Sequence, residues 1–440
     1  MESSKQYIPE LRFPEFSGDW VKKTLGDFTE RITRKVGNAK LLAVSISAGV
    51  GFVDQKNKFG RDISGEQYKN YIKLKEGEFA YNKGNSLKYP QGCVYMLKEY
   101  ATVACPNVFI CFAVTDEQIF AEFILRYFEM NYHGIQLQKY ITSGVRGNGL
   151  LNVSANDFFN ISFFIPNLPE QRKIAACLSS LDSLIKSVGK KIDLLRQHKK
   201  GLMQKLFPRL PQGRDAINRV STNQNVVPEL RFPNFSGDWE VKRLGECFEM
   251  LQNNTLSRAE LNDKCGDYQN VHYGDVLIKY GSILDLSKER LPYINNKNVA
   301  EKYEKSLLKD GDVIIADTAE DETVGKCTEI INVGEKKIIS GLHTIPIRPT
   351  IDFAKCFIGL YFNSNVWHSQ LLRIMQGTKV FSISKSQLKN ISVCFPSLAE
   401  QRKIADCLSS IDKAIEETEN KVRLLEQHKK GLMQKMFVKM

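Results

Sequence analysis

The sequence predicts an α+β fold in which two mixed α/β domains are joined by two long helices. Two repeated sequence elements predict this architecture. Pro9–Trp20 returns as Pro228–Trp239 with 11 of 12 residues identical, and Glu170–Phe207 returns as Glu400–Phe437 with 25 of 38 identical. The segments between these elements differ greatly. We therefore expect a constant framework that carries two different inserts and has an internal pseudo-two-fold axis.

The repeats also predict the domain boundaries. Because a domain typically has about 150 residues, a chain of 440 residues is expected to contain two or three domains. Residues 208–226 are polar and rich in Pro, Gly and Asn, without an apolar period, and are interpreted as a linker. The predicted parts are a first domain at 1–169, a first long helix at 170–207, the linker at 208–226, a second domain at 227–399 and a second long helix at 400–440.

Apolar residues recur in steps of four and three along both long elements. The first set is Ile174, Leu178, Leu181, Ile185, Val188, Ile192 and Leu195, and the second is Ile404, Leu408, Ile411, Ile415, Thr418, Val422 and Leu425. A period of about 3.5 residues over three heptads is typical of a coiled-coil seam. The partner of each seam is either the other helix, packed antiparallel, or another chain in two separate coils. We expect the intramolecular antiparallel coiled coil.

Each long element also contains one matched glycine. Gly201 and Gly431 follow paired lysines near the end of the pattern. A glycine at this place either ends the helix or lies inside it at a cost of about 1 kcal/mol. The sequence leaves both alternatives open.

The inserts combine short apolar runs with turns. Leu41–Ile46, Val103–Val114 and Val276–Ile278 are predicted to be strands, and Phe123–Phe128 and Phe357–Phe362 to be helices. A faint repeat at an offset of 234 relates the two helical runs. The inserts are therefore expected to share a fold and to differ in the side chains that they display.

Charge and loop composition favour a nucleic-acid partner. The net charge is +12, and the first long helix has nine Lys or Arg against three Asp or Glu, whereas the second has eight against seven. A solvated lysine-rich surface is the alternative explanation of this excess. Lys and Arg contact phosphates, and Arg, Asn and Gln pair with base edges. In the polar loops, the residues predicted to contact DNA, rather than solvent alone, are Arg34, Lys35, Lys83, Asn85, Lys88, Arg146, Asn148, Asn253, His272, Tyr273, Thr318 and Lys379.

The ordered motifs resemble the specificity subunit of type I restriction–modification systems across essentially the whole chain. The residues that carry the resemblance are the E-Q-R-K-I-A starts at Glu170 and Glu400, the Q-H-K-K-G-L-M-Q-K ends at Gln197 and Gln427, and the two P-E-L-R-F-P leaders. The resemblance implies two target-recognition domains, each reading one half of a split, asymmetric sequence in double-stranded DNA. The helices would then fix the length of the unread spacer.

The same resemblance implies partner subunits. Two modification subunits, which methylate adenine with S-adenosylmethionine, would dock on the framework in equivalent ways. Restriction subunits would translocate and cleave DNA with ATP and Mg. No cofactor is expected on this chain itself.

No catalytic signature is found in the sequence. Neither N-P-P-[FYW] nor D-P-P-[FYW] occurs, and Gly325-Lys326-Cys327 lacks the upstream Gly and the hydroxyl of a P-loop. The chain is therefore predicted to be a non-catalytic subunit. The rival interpretations are a methyltransferase that acts alone and a scaffold that presents two ligand-binding heads without contacting DNA.

The remaining sequence features predict a cytoplasmic protein. No basic-then-apolar signal segment opens the chain, and no run approaches 18 apolar residues. The ten cysteines contain no C-x-x-C pair, so we expect reduced thiols and neither a disulfide framework nor a metal site.

Overall fold

The structure is a computed structural model that describes residues 7–61, 65–84, 89–141, 151–209, 226–377 and 379–438. The chain divides into two units. The first comprises Met1–Gly189 with Asn420–Met440, and the second comprises Lys190–Glu419. Each unit therefore contains one insert and a segment of both long helices. Mixed helices and sheets in each unit, with the two long helices, confirm the predicted fold class.

Antiparallel strands form the body of the first unit. They are Val21–Thr24 (β1), Thr29–Arg31 (β2), Val44–Ser47 (β3), Gly51–Asp54 (β4), Ile72–Lys75 (β5), Phe79–Asn82 (β6), Cys93–Met96 (β7), Thr102–Cys105 (β8), Ile110–Val114 (β9) and Ser162–Ile165 (β10). The order β2-β9-β6-β7 forms one sheet, and β1 with β10, β3 with β4 and β5 with β8 form separate pairs. β1 and β10 bring the start and the end of the insert together at the long helix.

The second unit is built on two larger sheets. Its strands are Glu240–Arg243 (β11), Phe248–Met250 (β12), Leu261–Asn262 (β13), Tyr268–Val271 (β14), Ile283–Asp285 (β15), Tyr293–Ile294 (β16), Val313–Ala316 (β17), Thr318–Ala319 (β18), Cys327–Ile331 (β19), Lys337–Ser340 (β20), Thr344–Pro349 (β21), Phe381–Ser382 (β22) and Ser392–Phe395 (β23). The sheet orders are β12-β21-β17-β19-β15 and β13-β16-β14-β20. β11 with β23 repeats the closing pair of the first unit.

Short helices cover these sheets, and two long helices follow the inserts. The α-helices are Gln55–Phe59 (α1), Ala121–Glu129 (α2), Tyr132–Leu137 (α3), Ala155–Phe159 (α4), Leu168–Leu206 (α5), Leu244–Cys247 (α6), Tyr273–Ile278 (α7), Lys297–Ala300 (α8), Phe357–Phe362 (α9), Asn365–Leu371 (α10), Lys385–Leu388 (α11) and Leu398–Met436 (α12). The 3-10 helices are Leu25–Asp27, Gly65–Asn70, Gln138–Tyr140, Arg258–Glu260 and Glu301–Ser306. α2 and α9 correspond to the two helical runs predicted from the sequence.

The long helices pack antiparallel within each unit. In the first unit, Ile174 and Leu178 of α5 share a buried cluster with Met433 and Phe437 at the end of the other helix. The second unit repeats this cluster with Ile404, Leu408, Leu206 and Phe207. The first turns of each helix thus pack against the last turns of the other, as the matched heptads predict.

A lysine in each seam pairs with an aspartate of the facing helix. Lys429 Nζ lies 2.6 Å from Asp182 Oδ1 in the first unit. Lys199 Nζ lies 2.6 Å from both carboxylate oxygens of Asp412 in the second unit. Asp412 and Lys429 are the repeat equivalents of Asp182 and Lys199, so the same pair of positions meets in both units with the helices exchanged.

The two P-E-L-R-F-P leaders connect the two long helices in each unit. Arg12 forms two hydrogen bonds to Glu170, from Nε at 2.8 Å and Nη2 at 2.7 Å, and the carboxylate is fully buried. Leu11 N–H donates to the carbonyl of Lys435 at 2.8 Å, at the end of α12. Arg231, Glu400, Leu230 and Lys205 repeat these contacts in the second unit. Each leader therefore joins the start of one long helix to the end of the other, which explains why both motifs are repeated.

Three of the predicted strands need correction. Val276–Ile278 belongs to α7, because His272 caps that helix and only Val276 of the three is buried. Val103–Val114 is not one strand but two, β8 and β9, since the chain turns at Pro106, whose carbonyl accepts from Phe109 N–H. The run Leu41–Ile46 is strand only from Val44 onward.

Candidate nucleic-acid interface

Three strand ends converge at one edge of the second unit. β14 and β20 are parallel, with Val271 opposite Ser340, so the residues that follow them leave the sheet side by side. β17 and β21 are antiparallel, with Ala316 opposite Thr344. These pairings place Tyr273, Asp317, Thr318 and His343 together, and we call these four residues the strand-end surface.

The rings of Tyr273 and His343 pack against each other on this surface, and His272 caps helix α7 beside them. The ring centroid of Tyr273 lies 4.7 Å from that of His272 and 5.2 Å from that of His343. His272 is buried, and its Nδ1 accepts from the backbone N–H of Gly274 at 3.1 Å. Burial, helped by the nearby positive charge of Arg258, lowers the pKa of His272. This imidazole is therefore a neutral helix cap, whereas Tyr273 is half-buried and the His343 side chain is 46% exposed.

A short polar network holds the centre of the strand-end surface. Thr318 Oγ1 donates to Asp317 Oδ1 at 2.8 Å and lies 3.4 Å from His343 Nδ1. His343 Nδ1 lies 3.5 Å from Asp317 Oδ1. The backbone of His343 has φ +54°, in the left-handed region, and its carbonyl accepts from Asp317 N–H at 3.1 Å. The carboxylate and the imidazole are thus held by backbone as well as side-chain contacts.

A strand turn beside this network presents Lys379. β18 pairs with β22, placing Thr318 opposite Ser382, and Ser382 exchanges two backbone hydrogen bonds with Gln376. At Gly377, φ is +118° and an added Cβ would lie 1.9 Å from the carbonyl oxygen of Val380, so only glycine fits. Lys379 lies within this turn and is exposed.

Asn253 links the strand-end surface to α11. Its Nδ2 donates to the carbonyl of Gly341 at 3.3 Å, and its Oδ1 accepts from Lys385 Nζ at 3.1 Å. The side chain is half-buried. All five candidates of the second insert therefore belong to this edge of the unit, with His272 and Asn253 in supporting positions.

In the first insert, the described residues that were predicted to contact DNA lie at two places. Arg34 donates from Nε to the carbonyl of Lys73 at 2.7 Å and pairs with Glu78, so its guanidinium braces β5. Lys35 is exposed and its Nζ donates to Asn70 Oδ1 at 3.2 Å. Asn85, Lys88, Arg146 and Asn148 lie outside the described residues.

Lys83 occupies the place in the first unit that Asp317 occupies in the second. Each residue follows the central strand of its sheet, β6 or β17. The carbonyl of Lys83 accepts from Leu151 N–H at 3.0 Å, and that of Asp317 accepts from Ile383 N–H at 2.9 Å. The same backbone position thus carries opposite charges in the two units.

The long helices also border a cleft in each unit. A cleft of about 930 Å³ in the first unit contains the Asp182–Lys429 pair, and one of about 360 Å³ in the second contains the Asp412–Lys199 pair. Equivalent residues line both, namely Ile185 and Ile415, Lys430 and Lys200, Met433 and Met203, and Gln434 and Gln204. The clefts are therefore related surfaces of the repeated framework.

Among the described residues, no group of three or more His, Cys, Asp or Glu side chains is arranged to hold a metal ion. None of the helices in that part of the chain has the length and hydropathy that a membrane crossing requires.

The comparisons with known proteins decide the family. The family described as the type I restriction modification DNA specificity domain matches residues 17–197 and again 236–426. The chain belongs to this family. Both matches contain one insert and most of the long helix that follows it, so each unit of the repeat corresponds to one specificity domain.

Curated relatives carry names consistent with this family. The MjaVIII type I restriction enzyme specificity subunit of Methanocaldococcus jannaschii is 27% identical over 309 residues, which are 69% of this chain and 67% of the relative. The putative MjaX specificity subunit of the same organism is 25% identical over 320 residues, 72% of this chain and 66% of the relative. The similarity thus spans about two thirds of each relative's length.

Solved structures share the fold. A chain from a study of complex assembly and conformational transition of the type I R-M system has a TM-score of 0.55 at 18% identity, with 95% of this chain and 97% of that chain covered. The type I restriction–modification S subunit from M. genitalium has a TM-score of 0.52 at 14% identity, covering 98% and 100%. At these identities the likeness concerns the fold alone.

Among the residues of this second specificity domain, His343 and Asp317 were not selected as sites from the sequence. His343 stands alone between two strands in the sequence, and Asp317 was noted only as part of a polar loop. Their proximity depends on pairing between strands far apart in the chain. The signal that was available is the change from apolar strand to polar residue at the ends of β14, β17 and β20.

Proposed function

We propose that this chain is the sequence-reading subunit of a type I restriction–modification complex, in which each unit contacts one half of a bipartite, asymmetric DNA target. The observation that carries the proposal is the unlike charge at one equivalent position of the two inserts. Lys83 and Asp317 occupy equivalent strand ends, so two domains of one family present different chemistry at the same place. A lysine suits a phosphate or a guanine edge, whereas a carboxylate does not.

The long helices would fix the distance between the two half-sites. Both run for 39 residues, and in each unit a lysine–aspartate pair sets how they meet. A rigid helix pair of constant register suits a target whose two read halves flank an unread spacer. The binding of DNA would weaken steeply with salt, because contacts to phosphates release counterions.

The two framework clefts are the proposed docking sites for two modification subunits. Gly201 and Gly431 lie inside α5 and α12, next to lysines that line the clefts. A glycine inside a helix costs about 1 kcal/mol relative to alanine. Apart from the adjoining residues and the helix's own backbone, an added Cβ at either position would have no heavy atom within 4 Å, so packing within the fold does not require glycine there. Close approach of a partner's backbone would require it.

The catalytic steps are assigned to partners. Modification subunits would bind S-adenosylmethionine and methylate adenine, and restriction subunits would bind ATP and Mg. This chain would catalyse no step and would hold no cofactor. The complex would act in the cytoplasm.

Adenine-methylation mapping tests the proposed function. Cells that carry the cognate modification subunit are sequenced at single-molecule level with and without this chain. A split, asymmetric methylated motif that appears only with the chain is expected. An unchanged methylome, with an active and complexed modification subunit, would favour the scaffold interpretation.

A matched set of glycine variants tests the docking proposal. Gly201→Ala with Gly431→Ala is expected to stabilise the helices and to weaken modification-subunit binding about tenfold or more, because two methyl groups would block close approach. Gly189→Ala is the control, since Gly189 also lies inside α5 with nothing within 4 Å of a Cβ, but its repeat equivalent is Glu419. Equal binding by all variants in a titration of the purified subunits would contradict the proposal.

A further inference from the structure

Asp317 places a negative charge at the centre of the strand-end surface. Its side chain is 24% exposed and lies beside the ring of His343, whose side chain is 46% exposed. The equivalent position of the first unit is Lys83. A carboxylate beside duplex DNA is repelled by the phosphates, so at this position it lowers sequence-independent affinity.

On the DNA itself, the group that suits a carboxylate is a donor on a base edge. In the major groove, cytosine N4 and adenine N6 present amino donors, whereas guanine N7 and O6 and thymine O4 are acceptors. Resting on the proposed function, we propose that Asp317 determines specificity in one half-site by accepting a hydrogen bond from the exocyclic amino group of a cytosine or an adenine.

The surrounding residues fix the carboxylate before DNA binds. Thr318 Oγ1 donates to Asp317 Oδ1 at 2.8 Å, and His343 Nδ1 lies 3.5 Å from the same oxygen. The peptide N–H of Asp317 donates to the carbonyl of His343, and Tyr273 packs edge-on against that imidazole with the ring planes at 77°. Such fixed geometry reduces the ordering cost on binding and sharpens discrimination between bases. Thr318 and His343 are therefore positioning residues.

The two units would read their half-sites by different chemistry at one equivalent position of their inserts. Lys83 can donate to phosphate or to a guanine edge, and Asp317 can only accept. The asymmetry of the target would follow from this difference as well as from the loops.

The first test is methylation mapping with Asp317→Ala in the assembled complex. Alanine removes the charge and leaves no hydrogen-bond acceptor on the side chain. Recognition is expected to relax or change at one base pair of one half-site, with discrimination there reduced about tenfold or more, while the other half-site and the spacer stay the same. The control is Glu335→Gln, which removes one negative charge from an exposed turn at the opposite end of β20 and is expected to leave the motif unchanged.

The second test uses synthetic duplexes that carry the mapped target. At each cytosine of the half-site, pyrimidin-2-one replaces the base, and at each adenine, purine replaces it, so that only the exocyclic amino group is lost. The wild-type complex is expected to bind one of these duplexes about tenfold more weakly, and Asp317→Ala is expected to bind it as well as the unmodified duplex. The analogue that has this effect distinguishes cytosine from adenine.

Three outcomes are distinguishable. A chain-dependent motif that Asp317→Ala reads with unchanged stringency overturns the inference and leaves the proposed function standing. A wild-type complex that tolerates every amino deletion in both half-sites also overturns it, without any variant. The absence of any chain-dependent motif overturns the proposed function itself. Asp317→Leu, which also lacks a hydrogen-bond acceptor, serves if Asp317→Ala does not assemble.

Discussion

Two buried ionisable side chains give the units opposite responses to pH. Glu329 of the second unit is buried, and its carboxylate accepts from Cys356 N–H at 2.7 Å and Gly359 N–H at 2.8 Å. Burial raises the pKa of Glu329 to about 7 despite these donors. In the first unit, burial lowers the pKa of His133 to about 4.

The direction of each pH response follows from the difference in bound protons between the folded and the unfolded state. Between the ordinary glutamate pKa of 4.5 and about 7, the folded second unit binds a proton at Glu329 that the unfolded chain does not, so its free energy of unfolding falls as pH rises. Between about 4 and 6.5 the unfolded chain holds a proton at His133 that the folded first unit lacks, so stability there is lost as pH falls.

We predict that acidification from pH 7.5 to 5 stabilises the second unit through Glu329 by roughly 2 to 3 kcal/mol. Hydrogen–deuterium exchange of peptides around β19 and α9, corrected for intrinsic rates, measures this. Glu329→Gln is the comparison, because it removes the titration while other groups, such as His272, still respond. If the stability of the second unit changed equally with pH in the variant and the wild type, the assignment to Glu329 would be contradicted.

At the scale of the helices, the seam ion pairs differ in burial. The side chains of Lys199 and Asp412 are 17% and 44% exposed, whereas those of the neighbouring pair Arg196 and Glu419 are 60% and 45% exposed. Exposed ion pairs contribute little because water and salt screen them. The half-buried pair is therefore the one that stabilises the seam.

We predict that Lys199→Asp destabilises the second unit and that adding Asp412→Lys restores most of the loss. A double-mutant cycle in urea is expected to give a coupling energy of about 1 kcal/mol for this pair, after allowance for the exposure of Asp412, and less than about 0.5 kcal/mol for Arg196 with Glu419. Equal coupling in both pairs would mean that the seam lysine has no special role.

Helix length gives a second prediction at this scale. Four residues inserted into each long helix, near Val188 and Thr418, add about 6 Å, which is about two base pairs of DNA. An insertion of four shifts a heptad pattern only locally, so the seam can persist. Methylated half-sites are expected to lie about two base pairs farther apart. A mapped spacer of unchanged length would show that the helices do not set it.

At the scale of the whole molecule, the framework was predictable from the sequence and the strand-end surface was not. The seam follows from a local period, and Phe123 and Phe357 lie in helices as their repeat predicts. The prediction of a strand at Val276–Ile278 was wrong because three apolar residues are too few to distinguish a strand from a helix. The meeting of Asp317 with His343 depends on sheet pairing across many residues, which neither composition nor spacing reveals.

The repeat further implies that an insert can be exchanged while the framework remains. β1 with β10 and β11 with β23 close each insert at its long helix with the same antiparallel pairing. The leader contacts of Arg12 and Arg231 lie outside the exchanged segment, so they would hold a foreign insert in the same place.

Adenine-methylation mapping of a chain whose residues 21–160 are replaced by the insert of another specificity domain would show whether each unit reads its own half-site. One half of the methylated motif is expected to change, while the other half and the spacer length stay the same. A change in both halves, or in neither, would contradict the claim that each unit reads its own half-site.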